Sequence, residues 1–322
     1  MSAQTEHTSV LVVGGGPDHE RDVSIESATA VAEALRSTGA HDVRFEVIDR
    51  PAESELRALV EAGACDVVFP VLHGPWGEGG GIQRLLESIG VPFVGSGSRG
   101  AMSAMDKVRT KQLAAALGVP VLETALLDPA VHEHPPFDLP VVVKPVCQGS
   151  SIGLHVCKDV DAWQRAVQSV GTMPMMVEPM VEGARELAVG LVSKGGAELE
   201  PIPIVEISPS EEAGRIYDYE AKYVRDDTVY TLDPSLPTEV AERVVMLTQK
   251  MADALGVRHL CRADYLLDRA GSAWFLELNT MPGFTSHSLL PRACAGAGIS
   301  MQALCAGLVG CARSGARTGA IV

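Results

Sequence analysis

A chain of 322 residues with 46% hydrophobic and 21% charged side chains is long enough for two or three packed subdomains and lies outside the disordered and fibrous ranges. A formal charge of −15 argues against a protein that coats nucleic acid or an anionic membrane, because phosphate contacts need clustered Lys and Arg. Seven scattered cysteines without a CxxC pair, no run near the roughly 18 apolar residues of a membrane span, and a polar start lacking a basic region together point to a reduced, cytoplasmic setting without disulfides or zinc.

Ser9 to Val13 is a short apolar run ending in Gly14, Gly15 and Gly16, the pattern of a buried parallel strand entering a tight turn. A helix follows, with Ala28, Val31, Ala32 and Leu35 on one face and Gly39 at the cap position. Strands are predicted at Asp42 to Ile48 and Asp66 to Leu72, with a helix from Glu53 to Ala62 between them. This alternation makes the first hundred residues an open α/β sheet. Past a boundary near Gly95 to Gly97 come a helix from Met102 to Leu117, a strand ending in Val141 to Pro145, and a Gly/Ser loop. A long helix from Pro237 to Leu255 and a closing helix near Met301 to Val309 complete the chain, and the tail from Ser314 to Val322 is expected to be unanchored.

The strongest constellation spans Cys261 to Asn279, two strands joined by the turn Asp268 to Ser272. With pairing centred between Ala270 and Gly271, Asp264 opposes Glu277 and Arg262 opposes Asn279. Opposed like charges destabilise a sheet unless something cationic lies between them. Two carboxylates and an amide oxygen are hard donors of the kind Mg²⁺ takes. Solvated charges on a hairpin face would be the default for one Asp and one Glu, and the four-residue cluster in apolar strands favours the metal.

Lys144 at a strand end, followed by the loop Pro145 to Gly153, offers a point charge and backbone N–H groups to phosphate oxygens. Lys107, taken singly, reads as a solvated surface lysine. Met175 to Glu186 reads as an edge strand whose free backbone could meet an adenine. Between the first strand and helix, Gly15 to Ser24 occupies the natural crevice of an open sheet. A Gly turn and a Ser or Asp cap would explain the glycines and Ser24 but not Glu20. His73 to Gly81 reads as a mobile glycine loop, in which a single His would ordinarily be incidental.

The ordered set VFPVLHGPWGEGGGIQ, VPFVGSG, MDKVRTK, VVVKPVCQGSSIG, YDYEAKY and FLELNTMPGFTSHS resembles the D-alanine–D-alanine ligases of the ATP-grasp superfamily, from about Leu11 to Val309. The resemblance implies an α/β fold with three domains. They are an N-terminal Rossmann-like substrate-binding domain (1–97), a central ATP-grasp subdomain (98–180) and a C-terminal subdomain with the metal and oxyanion site (181–322). It implies ATP and two Mg²⁺ ions, with Mn²⁺ as a substitute, as cofactors. D-alanine and ATP are the expected small-molecule partners, with no nucleic acid or membrane partner, and a homodimer is left open.

By the same resemblance Lys107, Lys144 and Ser151 meet the phosphates, and Glu178, Pro179, Val181 and Glu186 meet the adenosine. Asp264, Glu277 and Asn279 hold the metals. Glu20 holds the first substrate's ammonium with His73 nearby, and Arg262 with the Gly283 N–H forms the oxyanion hole. Ser288 and Leu289 correspond to the second substrate's carboxylate site. Glu20, Ser150 and Tyr223 correspond to a hydrogen-bonded triad, with Lys222 beside Tyr223 on a closing lid. Ester-forming members lack a tyrosine at that lid position, so Tyr223 implies an amine nucleophile. Two departures stand out. Glu78-Gly79-Gly80 replaces the usual Glu-Asp-Gly, and Cys261 replaces a common glycine. The competing readings are another ATP-grasp ligase, a nicotinamide dehydrogenase, which leaves Asp264, Glu277 and Asn279 unexplained, and a non-catalytic nucleotide-binding protein.

Overall fold

The computed structural model describes residues 7–128, 132–196, 198–210 and 227–317. The chain opens with β1 (Thr8–Gly15), α1 (Arg21–Ser37), β2 (His41–Ile48), α2 (Glu53–Glu61) and β3 (Val67–Pro70). The three strands form a parallel sheet in the order β2-β1-β3. β1 is buried on both faces, Val10 and Val12 against α1 and Leu11 and Val13 against Leu56 and Leu86, which is why its sequence is continuously apolar. Gly39, at φ 65°, follows the end of α1, as the periodicity predicts.

Ser24 caps nothing. Within α1 its hydroxyl accepts from the Gly15 N–H at 2.9 Å and donates to the Val71 carbonyl at 2.5 Å, so it ties the turn after β1 to the end of β3. The glycine segment predicted to be mobile is instead folded into a helical turn, α3 (Gly74–Gly77), and a helix, α4 (Gly81–Ile89). The cause is remote. Asp18, on the β1–α1 loop, accepts from the N–H groups of Trp76 at 2.9 Å and Gly77 at 3.2 Å, as a carboxylate at a helix start does.

The helix predicted from Met102 to Leu117 is two: α5 (Ser98–Met105) and α6 (Lys107–Ala116). Asp106 between them is extended and its side chain accepts from the Arg109 N–H at 3.0 Å. An N-cap of this kind starts a new helix and turns Lys107 inward.

The central sheet is antiparallel, ordered β4-β7-β5-β6, from β4 (Ala125–Leu126), β5 (Val141–Pro145), β6 (His155–Cys157) and β7 (Met175–Pro179). α7 (Val160–Ser169) covers it through Trp163. A third sheet, β11-β10-β8-β12-β13, takes β8 (Arg185–Val192), β10 (Val205–Ser208), β11 (Val229–Leu232), β12 (Leu260–Leu267) and β13 (Ala273–Asn279), with β9 (Glu200–Pro201) pairing to β8. α8 (Thr238–Leu255) packs on it, and Tyr265 stacks edge-on against Phe275 with centroids 5.6 Å apart.

The chain closes with α9 (Leu289–Gly296) and α10 (Met301–Arg317). Against expectation the helix runs past Ser314, and Arg313 donates to the Thr8 hydroxyl at 2.9 Å. Its residues Leu304 and Leu308 share one core with β1, β3 and Phe284, so the first and last parts of the chain are packed together. Among the described residues no single helix is long and apolar enough to cross a membrane.

The β12–β13 hairpin carries a bulge. From the turn, Leu267 pairs with Ala273 and Tyr265 with Phe275, but the register shifts by one so that Asp264 pairs with Glu277 and Arg262 with Asn279. The predicted partners are therefore right, although the turn is centred half a residue earlier than the prediction. Were Leu276 paired instead of bulged out, the turn's register would set it opposite Asp264 and send Glu277 and Asn279 to the other face. β13 is the edge strand, and next to the bulge its backbone is held from outside the sheet: the Phe275 N–H donates to the Pro120 carbonyl at 2.9 Å, and its carbonyl accepts from Lys111 Nζ at 3.2 Å.

Candidate active site

Two clefts meet at Lys107, Gln148, Gly149 and Glu277, which line both. The larger, of about 1130 Å³, lies between the central and third sheets. Lys144, Ser151, Glu178, Pro179, Val181, Glu186 and Asp264 line it, with Leu122, Leu266 and Leu276 as apolar walls. The smaller is lined by Glu20, His73, Ser150, Arg262, Asn279, Gly283, Ser288 and Leu289. Every predicted site residue that the structure describes thus faces one cleft or the other. Lys222 and Tyr223 lie outside the described residues.

Lys107 is not a surface lysine. It is buried, its ammonium 3.1 Å from Glu277 Oε2 and donating to the Gln148 carbonyl at 2.6 Å. One cation therefore joins the Gly/Ser loop to the hairpin carboxylate. In that loop Ser150 and Ser151 both have positive φ, 51° and 56°, a conformation that costs L-residues energy and recurs at ligand-binding loops.

In the larger cleft, Glu178 is 2% exposed and set between two lysines. Lys111 Nζ is 2.5 Å from Oε1 and Lys144 Nζ is 2.6 Å from Oε2, while the Thr124 hydroxyl donates to Oε1 at 3.0 Å. Burial alone would raise the Glu178 carboxyl, but Lys144 and Lys111 outweigh it and hold it below the usual carboxylate range. Burial lowers Lys111 to about 8, against the pull of Glu178. Lys111 went unassigned in the sequence. Its signal was its place one helical turn after Lys107, which sets both on one face of α6.

In the smaller cleft, Glu20 stands at the N-terminus of α1 without capping it. Its Oε1 accepts from the Ser150 hydroxyl, and its buried Oε2 has no partner among the described residues. His73 Nε2 and Glu78 Oε2 are likewise buried and have no partner among the described residues. Burial lowers the His73 pKa, with Glu20 opposing the shift. Burial and the nearby Glu20 raise the Glu78 carboxyl well above the usual range. Glu78 appeared in the sequence only as part of an atypical loop, and nothing local marked it as buried. Three polar atoms around one small space, unpartnered among the described residues, suit a ligand carrying an ammonium group.

Arg262 donates to both oxygens of Asp264, each at 2.8 Å. The Asn279 side-chain oxygen accepts from the Met281 N–H at 2.8 Å, which starts the loop holding Gly283. A Cβ at Gly283 would lie 2.7 Å from Ser288 Oγ, so any larger residue would have to push that hydroxyl aside. The loop is pinned by the Phe284 N–H to Ser27 Oγ at 3.1 Å and the Thr285 N–H to Ser288 Oγ at 3.0 Å. Asp264, Glu277 and Asn279 present hard oxygen donors on one face with Arg262 and Lys107 as the present counter-charges. That donor set fits a Mg²⁺ ion shared with phosphate oxygens, since such ions take few protein ligands. Among the described residues no group of three His, Cys, Asp or Glu side chains forms a fuller cage.

Family models match the chain twice, "D-ala D-ala ligase N-terminus" over residues 46–96 and "D-ala D-ala ligase C-terminus" over residues 113–310. A D-alanine–D-alanine ligase B of Chromobacterium violaceum is 38% identical over 308 residues, covering 93% of this chain and 96% of that protein. A D-alanine–D-alanine ligase of Neisseria meningitidis is 36% identical over 92% of this chain and 95% of its own length. Among solved structures, the VanG D-Ala:D-Ser ligase of Enterococcus faecalis superposes with a TM-score of 0.77 at 26% identity, covering 95% of this chain and all of that one.

Proposed function

The chain belongs to the D-alanine–D-alanine ligase family, with its ATP-grasp fold, and from that premise we propose that it joins two D-alanines through a D-alanyl phosphate at the expense of ATP. It acts in the cytoplasm and supplies a peptidoglycan precursor. The observation that carries this reading is the meeting of the two clefts at Lys107, Gln148, Gly149 and Glu277. A nucleotide in one and an amino acid in the other would bring a phosphate against a carboxylate there. The division into 1–97, 98–180 and 181–322 accords with the three sheets.

A carboxylate is a poor acyl donor and must first be phosphorylated. Lys107 and Lys144, with the Ser150-Ser151 turn, hold the phosphates, and Glu178, Pro179, Val181 and Glu186 hold the adenosine. Mg²⁺ at Asp264, Glu277 and Asn279, with Mn²⁺ as a substitute, would spread the charge of the transferring phosphoryl group. Glu20, through Oε2, takes the ammonium of the first D-alanine beside His73, and Ser150 orients Glu20. Ser288 and Leu289 receive the second D-alanine, whose neutral amine attacks. Arg262 and the Gly283 N–H then stabilise the tetrahedral oxyanion, where a donor is typically worth about 3–4 kcal/mol. Tyr223 and Lys222 belong to the proposed lid, which excludes the water that would hydrolyse the acyl-phosphate.

The test offers a panel of D- and L-amino acids and D-lactate with Mg·ATP and identifies products by mass. D-alanyl-D-alanine is expected as the main product. Phosphate release without any dipeptide, or none with any amino acid, would overturn the assignment.

A further inference from the structure

Glu178 is the only buried carboxylate among the described residues with a cation within 2.6 Å of each of its two oxygens, and the two cations differ. Lys144 sits at the end of β5 on the cleft wall, where an anionic ligand can draw it away. Lys111 does not line the cleft. It is 4% exposed at the side chain and held from behind by the Phe275 carbonyl at the hairpin bulge. One partner can exchange and the other cannot.

We propose that Lys111 is a specificity-positioning residue: when Lys144 leaves Glu178 for the nucleotide's phosphates, Lys111 keeps Glu178 ionised, and the freed Oε2 accepts an amino group of the base and rejects a 6-oxo-purine. This rests on the reading that Glu178 meets the adenine. Chemically, an ionised carboxylate can only accept hydrogen bonds, so it pairs with the exocyclic amine of a 6-amino-purine and repels a carbonyl at that place. A protonated carboxyl can donate, and would take the carbonyl as well.

Burial pushes a carboxyl towards the protonated form. Once Lys144 has moved, Lys111 and the Thr124 hydroxyl are the groups among the described residues that still oppose that tendency at Glu178. The charged groups facing Glu178 are Lys144 from β5 and Lys111 from α6, and Lys111 in turn feels Glu277 from β13. The same lysine also fastens the bulge, so its loss will slow turnover in general. Base choice is separable from that loss because it is a ratio measured on one protein.

The experiment measures D-alanine-dependent phosphate release by the full chain with ATP and with ITP, whose base carries a 6-oxo group, between pH 6 and 7.5, below the value of about 8 to which burial lowers Lys111. The wild type should prefer ATP by a ratio of kcat/KM that is flat with pH. In Lys111→Met that ratio should fall with pH by up to about tenfold per unit, the limit for one titrating carboxyl, so that ITP use rises as pH drops. Lys111→Arg should restore the flat profile. Glu178→Gln, whose amide both donates and accepts, should lose the preference at every pH. A Lys111→Met variant that is slow but keeps the wild-type ratio throughout would overturn the proposal, as would one whose lost preference is flat with pH. If that variant does not fold, a Glu178→Gln protein that still rejects ITP, or a Lys111→Arg protein that accepts it, would overturn it equally. A wild type that releases no phosphate from ATP would instead refute the ligase reading itself.

Discussion

Arg262 and Asp264, two residues apart on β12, form a two-point ion pair with both N···O distances at 2.8 Å. The guanidinium proposed for the oxyanion thus occupies the carboxylate proposed for the metal. A cation must displace it, and phosphate oxygens complete the ion's shell. Mn²⁺ should therefore bind the free protein weakly and at least about tenfold more tightly with ADP present, a gain of roughly 1.4 kcal/mol. Calorimetric titration with and without ADP decides this, and equal affinities would count against the site.

Glu277 opposes Asp264 across the hairpin and holds Lys107 at 3.1 Å. Glu277→Gln keeps the shape and removes one charge. Ligation should fall by about 10²–10³-fold, equivalent to roughly 3–4 kcal/mol at the transition state, with little change in melting temperature. A folded variant with normal turnover at ordinary Mg²⁺ would remove Glu277 from the metal site.

Glu78 carries a stability signature with a definite sign. Its folded carboxyl is raised above the ordinary value of 4.5, so between that value and the folded one the native state binds more proton than the unfolded chain, and stability falls as pH rises. Glu78→Gln stays neutral at all pH and keeps an acceptor for the Gly74 N–H, now 3.3 Å from Glu78 Oε1. The variant should melt higher than the wild type at pH 8, and the gap should close towards pH 4.5. A gap independent of pH would show that the carboxyl is ionised in the fold.

His259 works in the opposite direction. Its Nδ1 accepts from the Gly95 N–H at 2.9 Å, and burial lowers its pKa to about 4 from 6.5. The unfolded chain takes up the proton first, so the contact's contribution is present above pH 6.5 and is lost as pH falls towards 4. His259→Asn retains an acceptor and tolerates the residue's φ of 69°. Its melting temperature should fall less than that of the wild type between pH 7 and 4.5, as scanning calorimetry would show.

Asp18 reaches the ligand only through others. It fixes α3, whose two ends carry His73 and Glu78. Asp18→Ala should raise KM for the first amino acid, with about 1.5–3 kcal/mol lost for a charged hydrogen-bond acceptor, while KM for ATP stays put. A rise in both constants would mean general loosening of the fold.

The sequence by itself determined the α/β order, the hairpin pairing of Asp264 with Glu277, and through its ordered motifs the family. These are legible because strand alternation, helix periodicity and contiguous motifs are properties of neighbouring residues. Lys107 shows the limit: its own segment reads as a solvated helix, and its burial depends on the Asp106 cap and on Gln148 and Glu277, 41 and 170 residues further on. Likewise the ordered turn at Gly74–Gly77 depends on Asp18, and the right face for Glu277 depends on a bulge next to Phe275, whose edge-strand backbone is held by Pro120 and Lys111. Only the tertiary structure decided these, because a buried charge or a freed backbone group is satisfied by whatever packing brings beside it, and that partner leaves no mark in the local pattern.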